Sequence, residues 1–167
     1  MIIEICGQKT AVSLVADARE RTFVISITST EDEGVAFPPN ENVASILRLC
    51  FNDLTEPYDE DGFPYGRPLP EQGDFEGLKT FVDALDGERL IVHCWEGASR
   101  SAAVATAIFE ARGGVDRLKT HGRYAPNPRV YALACRELGI PLRGLNYTAV
   151  PNDAGSWTMM KGERTFT

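Results

Sequence analysis

The sequence predicts an α/β fold in which a central, mostly parallel β-sheet is flanked by helices in a single layered domain. Two observations lead to this fold class. Short runs rich in β-branched and aromatic residues, such as TFVISIT at 22–28, have the length and composition of buried strands. They alternate with runs whose apolar residues follow helical spacing, as at Leu78, Phe81, Val82 and Leu85. Strands that alternate with helices are typical of layered folds with parallel strands.

The first third of the chain predicts three strands and one helix. Strands are predicted at 2–6, 22–28 and 46–51, where apolar residues are concentrated. The segment 10–19 carries its apolar residues on one side, and this pattern predicts a short helix. Residues 56–73 are rich in proline, glycine and acidic side chains, so we expect a long surface loop, which in a compact domain is often functional.

The middle of the chain predicts a helix, a buried strand and a second helix in succession. Asp74 is placed to cap the first helix, and Gly87 ends it. The apolar run 90–92 is short and β-rich, as expected of a strand. Residues 101–112 are dense in helix formers and are followed by two glycines.

The last part of the chain predicts two further helical segments. Residues 115–120 are expected to form a short helical turn. Pro126, Asn127 and Pro128 begin a last helix, which Gly139 closes. We expect a domain at 1–140 and a C-terminal extension at 141–167, either irregular or contributing an edge strand through LNYTAV.

Composition and charge exclude several classes of partner. The net charge of −7 argues against a nucleic-acid partner and against binding to an acidic membrane surface. No apolar stretch reaches the length of a transmembrane helix. The four cysteines are widely spaced, without a disulfide or metal-ligand pattern, and His121 has no partner at metal-ligand spacing. We therefore expect a cytoplasmic protein without a metal or other cofactor, and the oligomeric state stays open.

The segment LIVHCWEGASRS at 90–101 carries the chemistry. A loop between a strand and a helix N-terminus directs backbone N–H groups into one concavity, where they bind anions. Arg100 can hold two phosphate oxygens with its planar guanidinium. The same positive environment favours the thiolate form of Cys94, which is the nucleophilic form. A nucleophile beside a bound phosphate predicts covalent phosphoryl transfer.

The residues HCWEGASRS resemble the His-Cys-x5-Arg-Ser signature of the cysteine-dependent protein phosphatases. The likeness is strongest to the compact dual-specificity and bacterial tyrosine phosphatases, and it implies their fold for residues 1 to about 140. It also implies that Cys94 is the nucleophile and that the loop binds phosphate. The expected phosphate-binding residues are Trp95, Glu96, Gly97, Ala98, Ser99 and Arg100.

A general acid is needed to protonate the leaving oxygen. In the family this acid is an aspartate just after a strand and before the cysteine, and Asp53 in LRLCFNDL resembles it. The distance along the chain from Asp53 to Cys94 is longer than in the most compact relatives. Three other aspartates therefore remain alternatives, namely Asp59, Asp61 and Asp74.

The resemblance assigns supporting roles to three further residues. His93 is expected to fix the loop and to favour ionisation of the thiol, and it is equally explained as a satisfied core residue at the end of a buried strand. Ser101 is expected to stabilise the thiolate when the phosphoenzyme breaks down, or to act only as a helix N-terminal residue. The Asn127 amide is expected to brace the loop, although capping of the last helix explains it nearly as well.

The predicted function is phosphomonoester hydrolysis through a cysteinyl-phosphate intermediate. Glu96 and the acidic loop would repel a polyanionic ligand, so a phosphorylated protein is the favoured substrate over an inositol phosphate. Two alternatives stay open: a rhodanese-type sulfurtransferase and a non-catalytic phosphate-binding module. Cys50 is interpreted either as a buried strand residue or as a thiol that forms a disulfide with oxidised Cys94.

Overall fold

A computed structural model describes residues 1–143, 145, 147–151 and 157–161. Seven strands and four α-helices follow one another in these segments, and a short 3-10 turn at Gln72–Phe75 precedes the second helix. In chain order the elements are β1 Ile2–Gly7, α1 Gln8–Ala16, β2 Thr22–Thr28, β3 Val43–Cys50, α2 Leu78–Asp83, β4 Arg89–Cys94, α3 Arg100–Ala111, β5 Arg117–Thr120, α4 Pro128–Leu138, β6 Tyr147–Pro151 and β7 Trp157–Lys161.

The strands form one sheet in the order β3-β2-β4-β1-β5-β7-β6. The first five are parallel, and β7 pairs antiparallel with both β5 and β6. The strand β4 lies at the centre of the parallel part, where Val92 is in register with Ile25 of β2 and Ile5 of β1. The carboxyl ends of β1, β2 and β4 therefore meet at one edge, where parallel sheets place their ligands.

Helices cover both faces of the sheet. Leu90 and Val92 of β4 belong to the larger apolar cluster, which also contains buried residues of α2, α3 and α4. Ile91 points to the other face and packs with Ala11 and Val15 of α1. Because β4 is buried on both faces, its sequence is a continuous apolar run and does not alternate between apolar and polar residues. The predicted α/β fold, with a mostly parallel sheet flanked by helices, is confirmed.

The structure corrects the prediction at 115–120. These residues were expected to form a helical turn, but Arg117–Thr120 is the strand β5, paired parallel with Ile2–Ile5 of β1. Arg117, Leu118 and Lys119 are good helix formers in isolation. Six residues are too few for a helical repeat to form a stable helix alone, so pairing with β1 decides the conformation.

Two other local predictions need adjustment. Asp74 does not cap α2; it lies in the 3-10 turn, where it and Glu71 cap each other reciprocally, and α2 begins after Gly77. The predicted edge strand is present as β6, whereas β7, which lies between it and β5, was not predicted. Among the described residues, no helix has the length and apolar character to span a membrane.

Candidate active site

The loop between β4 and α3 is locked against the carboxyl end of β1. Gly97 has φ of +79°, and a Cβ there would lie 2.2 Å from the carbonyl carbon of Cys6 and the nitrogen of Gly7. Only glycine combines this conformation with so close an approach. The Gln8 amide also donates a hydrogen bond of 3.1 Å to the Trp95 carbonyl oxygen. The glycine of the signature is therefore a packing requirement of this loop.

The segment before α4 braces the opposite side of the same loop. The Ala125 amide donates to the Ala98 carbonyl at 2.9 Å, and the Asn127 amide donates to the Ser99 carbonyl at 3.4 Å. Asn127 also caps α4, because its side-chain oxygen accepts from the amides of Arg129 and Val130. The loop is thus held from two sides before any ligand binds.

Cys94 lies at the base of the loop, with only 2% of its surface exposed. Its Sγ accepts a hydrogen bond from the Gly97 amide at 3.3 Å and lies 3.2 Å from Ser101 Oγ. The thiol also sits beside the N-terminus of α3, where partial positive charge accumulates. The sulfur therefore lies where a backbone N–H group and a helix N-terminus, the elements of an anion site, come together.

Arg100 is 5% exposed and has an unused donor. Its Nη1 donates to Ser29 Oγ and to the Phe51 carbonyl oxygen, both at 2.9 Å, and these contacts fix the plane of the guanidinium. Its Nε is buried without a hydrogen-bond partner in the described part of the chain. A buried donor on a cation is costly unless an acceptor arrives, so this atom is available to an acceptor from outside the chain.

Asp53 is hydrogen-bonded to the loop itself. Its Oδ1 accepts from Ser99 Oγ and from Asn127 Nδ2, each at 2.8 Å. Asn127 consequently connects three elements: its side chain contacts the loop after β3 and α4, and its backbone amide contacts the loop between β4 and α3. The side-chain amide of Asn127 was expected to brace the signature loop, but it holds the carboxylate and caps α4, and the backbone amide makes the contact with the loop.

A cavity of about 380 Å³ opens above Cys94 and Arg100, and Asp53 forms part of its wall. Asp59, Asp61 and Asp74 are not among its lining residues. Asp59 Oδ1 instead accepts from the amides of Asp61 and Phe63 within a local turn. Of the four aspartates considered from the sequence, Asp53 is thus the one placed with the cysteine and the arginine.

Several cavity residues escaped the sequence analysis because they belong to other strand ends. Ser29 and Asp32 follow β2, and the Ser29 amide donates to Asp32 Oδ2 at 3.0 Å. In a parallel sheet the residues after neighbouring strands gather at one edge, but this rule identifies them only once the strand order is known. The remaining lining residues are Asn52, Leu54, Arg67, Trp95, Glu96 and Ser99.

The long loop is anchored next to this cavity. The buried Asn52 side chain donates to the Pro68 carbonyl at 3.1 Å, and Arg67 pairs with Glu31 at 2.9 Å. The Arg129 side chain donates from Nε to the Pro70 carbonyl oxygen at 2.9 Å. These contacts hold the second half of the loop, whereas Phe63 near its tip is 67% exposed.

His93 is fully buried and lies below the loop. Burial lowers the pKa of its imidazole to about 4, and the nearby Arg48 and Arg100 charges act in the same direction. Its Nε2 lies 2.9 Å from Ser26 Oγ on β2. The ring is therefore neutral at physiological pH, and through its contact with Ser26 it positions the end of β4.

Cys50 is exposed, so its interpretation as a buried strand residue is wrong. The disulfide interpretation is also disfavoured by the sheet order, because β2 lies between β3 and β4. Two strand spacings of about 4.8 Å separate the strands of Cys50 and Cys94, whereas a disulfide needs α-carbons within about 7 Å. All four cysteines are free thiols.

The described residues contain no group of three or more histidine, cysteine, aspartate or glutamate side chains arranged to share a metal ion. No family model matches this chain, and no curated protein sequence matches it significantly.

Proposed function

We propose that the protein is a cysteine-dependent phosphatase of the protein tyrosine or dual-specificity type, which hydrolyses phosphomonoesters through a cysteinyl-phosphate intermediate. The observation that carries the proposal is Arg100, which lines the same cavity as Cys94 and whose buried Nε lacks an acceptor in the described part of the chain. A phosphate oxygen supplies that acceptor. The loop amides and the N-terminus of α3 add further donors around the same point.

In the first step the Cys94 thiolate attacks phosphorus and forms a sulfur–phosphorus bond while the phosphorus–oxygen bond of the ester breaks. Protonated Asp53 transfers its proton to the leaving oxygen, so an alcohol or phenol departs instead of an alkoxide or phenoxide. The guanidinium of Arg100 and the loop amides bind the equatorial oxygens, whose charge is redistributed in the transition state.

In the second step a water molecule attacks phosphorus and the sulfur–phosphorus bond breaks. The Asp53 carboxylate, held by Ser99 and Asn127, accepts the proton of that water and is ready for another cycle. Ser101 Oγ, 3.2 Å from Cys94 Sγ, donates to the departing thiolate. Inorganic phosphate is released, and neither step requires a metal or an organic cofactor.

The charges around the cavity favour a phosphorylated protein over a small polyanion. Asp32, Asp53 and Glu96 line the cavity, whereas Arg67 is already paired with Glu31. A ligand with one phosphate satisfies Arg100, but additional phosphates would face these carboxylates at short range.

Four free cysteines also fit action in a reducing cytoplasm.

The proposal is tested by incubating the purified protein with para-nitrophenyl phosphate, with thiosulfate plus cyanide as a parallel substrate pair. We expect release of nitrophenol without added metal, and phosphate on Cys94 after rapid acid quenching and mass spectrometry. Cys94→Ser should abolish turnover and still bind phosphate or tungstate, because the amides and Arg100 remain. Thiocyanate formation without nitrophenol would indicate a sulfurtransferase, and binding without turnover would indicate a silent phosphate-binding module.

A further inference from the structure

Trp95 combines a fixed backbone with an exposed side chain. Its carbonyl oxygen accepts from the Gln8 amide, and a Cβ on Gly7 would lie 3.2 Å from the same oxygen. The residue nevertheless exposes 63% of its surface, although it directly follows the buried Cys94. Tryptophan is usually well buried, and where it is exposed in a fixed position it is a frequent anchor for binding partners.

Trp95 also lines a second cavity, of about 290 Å³. Gly7, Gln8, Lys9 and Thr10 form the remainder of its lining, at the junction of β1 and α1, and we call this cavity the β1–α1 groove. Its surface is mostly apolar. Trp95 lines both the groove and the phosphate cavity, so this residue forms the boundary between them.

We propose that the β1–α1 groove binds an apolar side chain located one or two residues from the phosphorylated residue of a polypeptide substrate. The inference rests on the proposed function and specifies its substrate. Trp95 lines both cavities and an extended peptide advances about 3.3 Å per residue, so the residues next to the phosphorylated one are those nearest to the groove. The indole then packs against that side chain while the phosphate contacts Cys94.

The composition of the groove favours an apolar substrate side chain over a charged one. Lys9 is its one charged lining residue, and its aliphatic stem adds to the apolar surface while the ammonium reaches solvent. An acidic substrate residue would meet Asp32, Asp53 and Glu96 in the neighbouring cavity. Stacking of a nucleobase on Trp95 is the competing occupancy, and the net charge of −7 disfavours it.

The test uses a set of phosphotyrosine peptides with glycine and serine around the phosphotyrosine. Four peptides carry a single leucine, at one of the two positions on either side, and a reference peptide carries none. For the wild-type protein we expect at least one leucine position to raise kcat/KM about ten- to hundredfold over the reference, the gain for burying such a side chain. Binding of the same peptides to Cys94→Ser by calorimetry should show the same preference.

Two variants connect the preference to the groove. Trp95→Ala removes the shared wall, and Thr10→Trp fills the groove from α1 without touching the phosphate cavity. In both variants the advantage of leucine should fall below about threefold, as expected when one anchor contact is lost. Thr10→Trp should retain the wild-type rate with para-nitrophenyl phosphate, because this substrate is not a peptide and has no side chain that could enter the groove.

The outcomes separate this inference from the phosphatase proposal. Hydrolysis of aryl phosphate without a leucine preference overturns the groove assignment and leaves the phosphatase proposal standing. A leucine preference that survives both variants, or a nucleoside monophosphate that outcompetes every leucine peptide, also overturns the groove assignment. If neither aryl phosphate nor any peptide is hydrolysed, the phosphatase proposal fails, and the groove inference fails with it.

Discussion

Arg100 uses different nitrogens for different tasks, and lysine cannot reproduce this division. Nη1 donates to Ser29 Oγ and to the Phe51 carbonyl oxygen, while the buried Nε has no partner in the described part of the chain and is the donor that we propose for the substrate. Arg100→Lys should therefore lower kcat/KM for para-nitrophenyl phosphate by about 10²–10³-fold, as for loss of an oxyanion-stabilising donor. Arg67→Lys, on the rim of the same cavity, is the matched control and should change kcat/KM by less than about threefold. Equal, small effects in the two variants would contradict the role of Arg100.

Asp53 is the residue whose role depends most on the leaving group. Asp53→Asn preserves an oxygen that can accept hydrogen bonds from Ser99 and Asn127. The amide cannot act as a general acid, because it has no acidic proton. We expect kcat to fall about 10²–10⁴-fold for an alkyl phosphate, and much less for para-nitrophenyl phosphate, whose phenoxide leaves without help. Asp32→Asn serves as the control within the same cavity. A larger loss in that control than in Asp53→Asn would mean that Asp32 is the acid.

At the scale of elements, Gly97 couples the signature loop to β1. Gly97→Ala introduces a Cβ 2.2 Å from backbone atoms of Cys6 and Gly7, at a φ of +79°. We expect a loss of about 3 kcal/mol or more in the free energy of unfolding, together with most of the activity. Gly113→Ala has nearly the same φ, +78°, but no atom within 4 Å of its Cβ, so it should cost only about 1–2 kcal/mol. Urea denaturation of both variants measures the difference, and equal losses would show that the close contact is unimportant.

The accuracy of the sequence analysis differed between elements for physical reasons. The strand Thr22–Thr28 and the end of α4 at Leu138 were predicted correctly, because dense β-branched residues and a C-terminal Gly139 are local signals. The four-residue strand β5 was missed, because its formation depends on pairing with β1, more than 100 residues earlier in the chain.

At the scale of the whole molecule, some residues of the candidate site could be predicted from local sequence signals, and others depend on contacts between distant parts of the chain. Cys94 and Arg100 lie on one loop, so their spacing alone predicted their proximity. Ser29, which fixes Arg100, comes from the end of β2, and its place in the site depends on β2 lying next to β4. The order of strands is a property of the complete sheet, and the sequence contains no local signal for it.

The buried His93 makes the free energy of unfolding of the whole molecule depend on pH. Its pKa is about 4 in the folded protein, against the ordinary value of 6.5 expected after unfolding, so the unfolded chain binds more protons between these values. Stability is therefore full above pH 6.5 and is lost as the pH falls toward 4. Between about pH 7 and pH 5 we expect the free energy of unfolding to drop by about 2 kcal/mol.

The variant His93→Gln, which keeps a donor for Ser26 but does not titrate, should lack this part of the drop when both proteins are unfolded with urea at the two pH values. Glu4 does not interfere in this range. Burial would raise the pKa of its carboxyl, but the hydrogen bond with His121 and the charges of Arg89 and Lys119 together lower it from 4.5 to about 2. The contribution of the ionised Glu4 carboxylate to the free energy of unfolding is consequently lost only below pH 4.5. Parallel losses of stability in wild type and His93→Gln from pH 7 to pH 5 would show that His93 is not the group that is protonated on unfolding.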